Sequence, residues 1–277
     1  MVIVGNYFDA EGANDAFIIK LDKDGKEVWR NRLATIDNEI YKDVLEAPDN
    51  SIIVLASINA SNIQLDSYSP AGVLTKSTSF GETHVPESML LSTTNKIVVS
   101  GTNNKVTPFV LQTDLSFTQE KFQNLQLTGE VRKIIQLNDG AFAVAGSKTE
   151  VDSSQRALVA KIDANGLGTV WQASPLEYSK KASTEVFLDV VESGQNLLLV
   201  GTHNNSLSQN DVILCKYDVS AGNSAQLQAI KIYGGNGNDF GRQLILDNTN
   251  LYFIGETNSF GSGQRDIYFV RLNLDLN

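Results

Sequence analysis

The sequence predicts an all-β protein, a β-propeller of four-stranded blades with six recognisable repeats, the first and last incomplete. Three observations predict it. The first is a strand-type octet, clearest as DAFIIKLD (15–22), DVILCKYD (211–218) and DIYFVRLN (266–273), with looser copies NIQLDSYS (62–69), TPFVLQTD (107–114) and RALVAKID (156–163). The second is a short apolar run that precedes each octet and closes on a small residue: Gly5, Ala56, Gly101, Gly146, Gly201 and Gly255, at intervals of 51, 45, 45, 55 and 54 residues. Self-similarity at a period of about fifty residues is the signature of a repeat array. The third is that these runs are apolar at consecutive positions, as in Ile52-Ile53-Val54-Leu55 and Tyr252-Phe253-Ile254. A sheet wetted on one side alternates apolar with polar residues. Consecutive apolar residues need cover on both faces, which adjoining blades supply.

Each complete repeat reads as four strands bounded by Asn, Asp, Gly and Ser turns. Strand one is YKDVLEA (41–47), PESMLLS (86–92), VRKIIQL (131–137), VFLDVVE (186–192) and FGRQLIL (240–246). Asn138-Asp139-Gly140 then makes a hairpin turn, because Gly accepts the positive φ such turns need. Strand two is the apolar run and strand three the octet. Strand four is KEVWRNRL (26–33), VLTKSTSF (73–80), FTQEKFQNL (117–125), TVWQAS (169–174) and AQLQAIKIY (225–233). Its polar character suits an outer edge. No helix longer than a turn or two is expected. The units fall at about 1–35, 36–81, 82–127, 128–178, 179–235 and 236–277 of one propeller domain. The series opens at strand two and stops at strand three, the pattern of a chain clipped at both ends. That leaves room for an export leader upstream of Met1.

The chain has 277 residues, 42% of them hydrophobic, enough for a sizeable core, and a formal net charge of −10. Nucleic acid and anionic membrane surfaces both want a basic patch, so neither is an expected partner. No run approaches the roughly 18–20 apolar residues of a membrane span, so membrane insertion is not expected either. No signal peptide pattern opens the chain. The single cysteine, Cys215, sits inside an octet and reads as a small buried hydrophobe.

The segment LDKDGKEVW (21–29) resembles the Asp-Gly-Lys-x-x-Trp turn of quinoprotein-like propellers, in which the Trp docks neighbouring blades; Trp29 fits that role, and Trp171 more loosely. The last unit, Tyr233 to Asp275, carries a fuller resemblance: a Gly-Gly pair, an Asp-led strand, a turn, an apolar strand ending in Gly, a Thr-Asn/Ser loop, then Asp-aromatic-Arg-Leu. It resembles the bacterial β-propeller repeat, and the resemblance extends over essentially the whole chain. It implies a scaffold and a secreted or cell-surface location, and it implies no reaction.

Strand direction alternates within a blade, so the loops between strands two and three share one face with the links between blades. Those loops vary most: Asn6 to Asn14, Ser57 to Ser61, Thr102 to Val106, Ser147 to Gln155, Thr202 to Asn210 and Glu256 to Arg265. Irregular insertions on one face of an array mark its binding face. Candidate ligand-binding residues there are Tyr7, Asp9, Asp37, His84, His203, Asp239 and Arg265, with both histidines expected in loops.

Chemistry-bearing motifs are sparse. GGNGND (234–239) matches the start of a calcium-binding nonapeptide, but that motif needs tandem copies and here reads as an inter-blade turn. His84 and His203 have no Cys or His at ligand spacing, so no metal is expected. Neither GxSxG nor GxxxxGK[ST] occurs, and no cofactor is expected. A noncatalytic binding or structural module, recognising a glycan, peptide or protein, is the expected function. A carbohydrate lyase or glycoside hydrolase is one alternative, needing converging carboxylates drawn from Asp9, Glu11, Asp37 and Asp239. A cell-envelope assembly scaffold is another.

Overall fold

The computed structural model describes residues 1–8, 14–33, 35–81, 83–104, 106–175, 184–204 and 209–277. Among the described residues, 22 strands form six antiparallel sheets, each in simple sequential order, with no helix. The first sheet holds β1 (Val2–Phe8), β2 (Asn14–Leu21) and β3 (Glu27–Leu33). The second holds β4 (Glu39–Glu46), β5 (Ile52–Ile58), β6 (Asn62–Tyr68) and β7 (Leu74–Phe80). The third holds β8 (His84–Leu91), β9 (Ile97–Asn103), β10 (Thr107–Thr113) and β11 (Gln119–Asn124). The fourth holds β12 (Gly129–Gln136), β13 (Phe142–Thr149), β14 (Gln155–Ile162) and β15 (Thr169–Ala173). The fifth holds β16 (Glu185–Ser193), β17 (Asn196–Asn204), β18 (Asn210–Asp218) and β19 (Gln226–Tyr233). The last holds β20 (Asp239–Asp247), β21 (Asn250–Thr257) and β22 (Asp266–Asn273). Each sheet falls inside one repeat unit of the sequence, and the first and last have three strands, as the incomplete repeats require.

The chain forms two compact units, Met1–Asn124 and Leu125–Asn277, of three sheets each. In the first unit, Ile52 and Val54 of β5 pack toward Ala16 and Ile18 of the first sheet. Ile53 and Leu55, the alternate residues of the same strand, pack toward Met89, Val99 and Phe109 of the third. The second unit repeats the scheme. Leu197 and Leu199 of β17 meet Ala143, Ala157 and Val159 of the fourth sheet, while Leu198 and Val200 meet Leu244 and Phe253 of the last. Successive side chains of a strand point to opposite faces, so a strand with a neighbouring sheet on each face is apolar throughout. Within their own units the first and last sheets have a neighbour on one face. Their other face stays open despite the consecutive apolar residues: Ile267 is 83% and Phe269 58% exposed.

The small residue that closes strand two has a physical cause. In each sheet that has a strand one, a β-bulge shifts the register near the start of that strand, at Lys42, Glu87, Arg132, Leu188 and Arg242. The residue preceding each bulge pairs with Ala56, Gly101, Gly146, Gly201 or Gly255. At the four glycines a Cβ would overlap the backbone carbonyl oxygen of Val85, Glu130, Val186 or Phe240. The bulge presses strand one onto strand two; at these four positions only a residue without a side chain fits, while the fifth, Ala56, carries a single methyl.

Polar contacts also join neighbouring sheets. The carboxylate of Asp43 accepts from the Met89 N–H at 2.9 Å and the Ser88 hydroxyl at 3.2 Å. Asp189, at the equivalent position after the bulge, accepts from the Leu244 N–H at 2.8 Å. Trp29 stacks on Tyr68 at 6.3 Å and donates from Nε1 to the Pro70 carbonyl at 3.1 Å. Trp171 is buried against the fifth sheet in the fourth-fifth core.

Candidate functional site

The loops between strands two and three bond to the links that enter strand one. The N–H groups of Asn59, Asn104, Thr149, Asn204 and Asn258 donate to the carbonyls of Asn38, Thr83, Thr128, Thr184 and Asn238, at 2.8–2.9 Å. A repeated side-chain bond adds to this, with Asn38 Oδ1 accepting from the Asn14 N–H at 3.1 Å and Asn238 Oδ1 from the Asn210 N–H at 3.0 Å. Within each unit these bonds tie loops and links into one face.

Two clefts carry residues singled out in the sequence. One lies on the open face of the first sheet, with a volume of about 560 Å³, lined by Tyr7, Phe17, Ile19, Arg30, Asn31 and Arg32. Strand pairing builds it: Gly5 opposite Phe17, Ile3 opposite Ile19, and Phe17 and Ile19 opposite Arg32 and Arg30. Gly5 leaves room for the Phe17 ring, which lies over it. Tyr7 and Phe17 are tilted rings 6.4 Å apart, and the Arg32 guanidinium sits 5.0 Å from the Tyr7 ring centre. Arg32 also pairs with buried Asp15, and Arg30 with Glu27, which fixes both forks along one edge. The result is an aromatic and aliphatic floor with a cationic rim.

The other cleft lies between the second and third sheets, with a volume of about 240 Å³, lined by Ile63, Phe80, Gly81, His84, Leu111, Gln119 and Phe122. His84 meets Phe109 and Phe122 edge-on, at 5.3 and 4.9 Å, and those two rings stack at 5.5 Å. Among the described residues, no aspartate or glutamate lines either cleft.

Tyr7 and His84 thus line separate clefts, and the other sequence candidates go elsewhere. Asp37 sits in a turn and accepts from the Asn59 side chain at 2.8 Å. Asp239 is fully buried and accepts from the Gly235 N–H at 2.9 Å and from the hydroxyls of Ser259, at 2.6 Å, and Thr257. It ends the GGNGND motif and opens β20, and the motif's first five residues form the link between β19 and β20. Arg265 is largely exposed and bonds Glu256 at 3.1 Å, which Arg242 also bonds at 3.0 Å. Asp9 and Glu11 lie outside the described residues. The histidines correct the expectation of loops: His84 opens β8 and His203 lies within β17. The loop-to-link bonds prolong the ladder past the point where the apolar pattern stops. His203 is consequently buried, with Nδ1 2.9 Å from Glu185 Oε1.

Glu185 belongs to a set that the sequence reading passed over. Strand one opens three residues before its bulge on a buried acid in three sheets: Glu39, Glu185 and Asp239. The spacing was visible as an acid two residues before Tyr41, Phe187 or Gly241. These carboxylates face internal partners, with Glu39 taking the Thr35 hydroxyl. Burial pushes the Cys215 thiol up, with the Glu185 charge adding to the shift. Such a thiol is a packing residue, since reactivity follows the thiolate. Among the described residues, no group of three or more His, Cys, Asp or Glu side chains is arranged to hold a metal ion.

No protein-family model matches the chain, and no curated protein matches its sequence. Solved structures do match. The chain is similar to a protein of unknown function from Bacteroides caccae, at 12% identity and a TM-score of 0.54, over 99% of this chain and 90% of that one. It is also similar to extracellular domains 1–2 of Drosophila Semaphorin 1b, at 11% identity and a TM-score of 0.55, over 98% and 79% of the two chains. At such identities the likeness speaks for the fold alone, which is of the β-propeller type.

Proposed function

We propose that this propeller is a noncatalytic binding module of the bacterial exported type, whose principal recognition surface is the Tyr7 groove. A protein or peptide segment is the ligand class that suits it. The carrying observation is the make-up of the groove: Tyr7, Phe17 and Ile19 form its floor and Arg30 and Arg32 its rim. Aromatic and arginine side chains are enriched where proteins anchor partners, because they bury large surfaces at small entropic cost and offer directed polar contacts. Acid–base hydrolysis of a glycan needs two carboxylates facing the bond to be cut. Among the described residues, the linings of both clefts supply aromatic, aliphatic, amide, imidazole and guanidinium groups instead.

The test is a screen of the purified chain against peptide and glycan libraries. We expect saturable peptide binding that Tyr7→Ala and Arg32→Ala each weaken about tenfold, the loss of roughly 1.4 kcal/mol typical of an anchor. Binding confined to glycans would overturn the ligand class. Reproducible glycan turnover by the chain would overturn the noncatalytic reading.

A further inference from the structure

The cleft between the second and third sheets has a different character, and we propose that it is a second binding site, for a small planar aromatic ligand carrying a hydrogen-bond acceptor. Its volume of about 240 Å³ exceeds the roughly 150 Å³ at which an apolar cavity already takes up benzene. Ile63 and Phe80 come from the second sheet, Leu111 and Phe122 from the third, so a flat ring inserted between them meets apolar surface on both sides. Offset and edge-on contacts with the Phe80 and Phe122 rings favour an aromatic guest over an aliphatic one.

His84 sets the polar requirement. Its ring is pinned edge-on by Phe109 and Phe122, so its orientation is fixed before any ligand arrives. Nδ1 is turned against Gly81, where a Cβ would stand only 2.5 Å away, and it is buried without a hydrogen-bond partner. A buried N–H with no acceptor is the arrangement proteins avoid most strongly, whereas a bare lone pair is tolerated better. The neutral ring therefore carries its hydrogen on Nε2. Among the described residues no protein acceptor bonds Nε2, which, unlike Nδ1, is accessible from outside. An accessible donor beside an apolar slot can exchange water for a ligand that brings an acceptor, such as a ring nitrogen or a carbonyl.

Isoquinoline, naphthalene and indole test this directly, being of similar size and respectively acceptor-bearing, apolar and donor-bearing. Each is titrated into the isotopically labelled chain at about pH 8, where an ordinary imidazole is neutral. We expect saturable shifts at His84 and Phe122 with isoquinoline, and binding roughly tenfold weaker for the other two, the worth of one hydrogen bond. His84→Phe should abolish the preference, and Leu111→Trp, which fills the slot, should abolish binding. Tyr7→Ala should leave it unchanged, which separates this site from the groove. Equal binding of isoquinoline and naphthalene, or no saturable shift at His84, would overturn the proposal whether or not the variants fold.

Discussion

Gly201 shows how one atom's absence sets a repeat. Its Cβ would occupy the space of the Val186 carbonyl oxygen and crowd the Phe187 Cα. Backbone cannot retreat as the end of a long side chain can, so a substitution forces the two strands apart. Gly201→Val is expected to cost at least about 2 kcal/mol, in the range of overpacked cores. Gly168, with nothing within 4 Å of its would-be Cβ, is the control; Gly168→Ala should stay within about 0.5 kcal/mol. Urea midpoints of the two variants check this, and equal midpoints would discard the bulge explanation. The same contact explains why the small-residue marker was legible in the sequence while its cause was not. The glycines stand in the chain at a regular interval, but the bulge that demands them lies on another strand.

At the scale of the element, the octets and apolar runs fall where the strands fall, because a strand's side-chain alternation is local. The junctions between sheets were less legible. Asp43 and Asp189 look in sequence like acids misplaced in apolar strands. In three dimensions each reaches the backbone of the next sheet's first strand, and the Asp189 contact is buried on both sides. Removing such an acceptor leaves the Leu244 N–H buried and unpaired, a cost of about 1–3 kcal/mol. Asp189→Ala should lower stability by that amount and speed exchange of the Leu244 amide. Asp189→Asn, which keeps an acceptor oxygen, should cost less. Unchanged Leu244 exchange in Asp189→Ala would show that the contact carries no load. His84 and His203 belong to this scale too. Their assignment to loops failed because the ladder is extended by backbone bonds to a preceding link, which no side-chain pattern records.

Across the described residues, burial is graded from sheet to sheet. Strands β5, β9, β13 and β17 are buried over most of their length, whereas β22 alternates exposed and half-buried residues and β1 is open over its last three. Opening free energy follows buried contacts, so amide exchange should be slowest in those four strands and fastest in β1 and β22. Uniform protection from end to end would contradict this gradient.

The sequence by itself determined the strands, their grouping into six sheets, and the incomplete first and last sheets. Each of these follows from periodicity within some fifty consecutive residues. Tertiary structure alone decided which side chains meet. Phe17 joins Arg32, and His84 joins Ile63 and Leu111, only through strand pairing and sheet packing. Asp239, prominent in the sequence, is turned inward by hydrogen bonds to two loops. A cleft is a property of surfaces brought together from separate strands, and side-chain direction at those surfaces depends on register and bulges that a linear pattern does not encode.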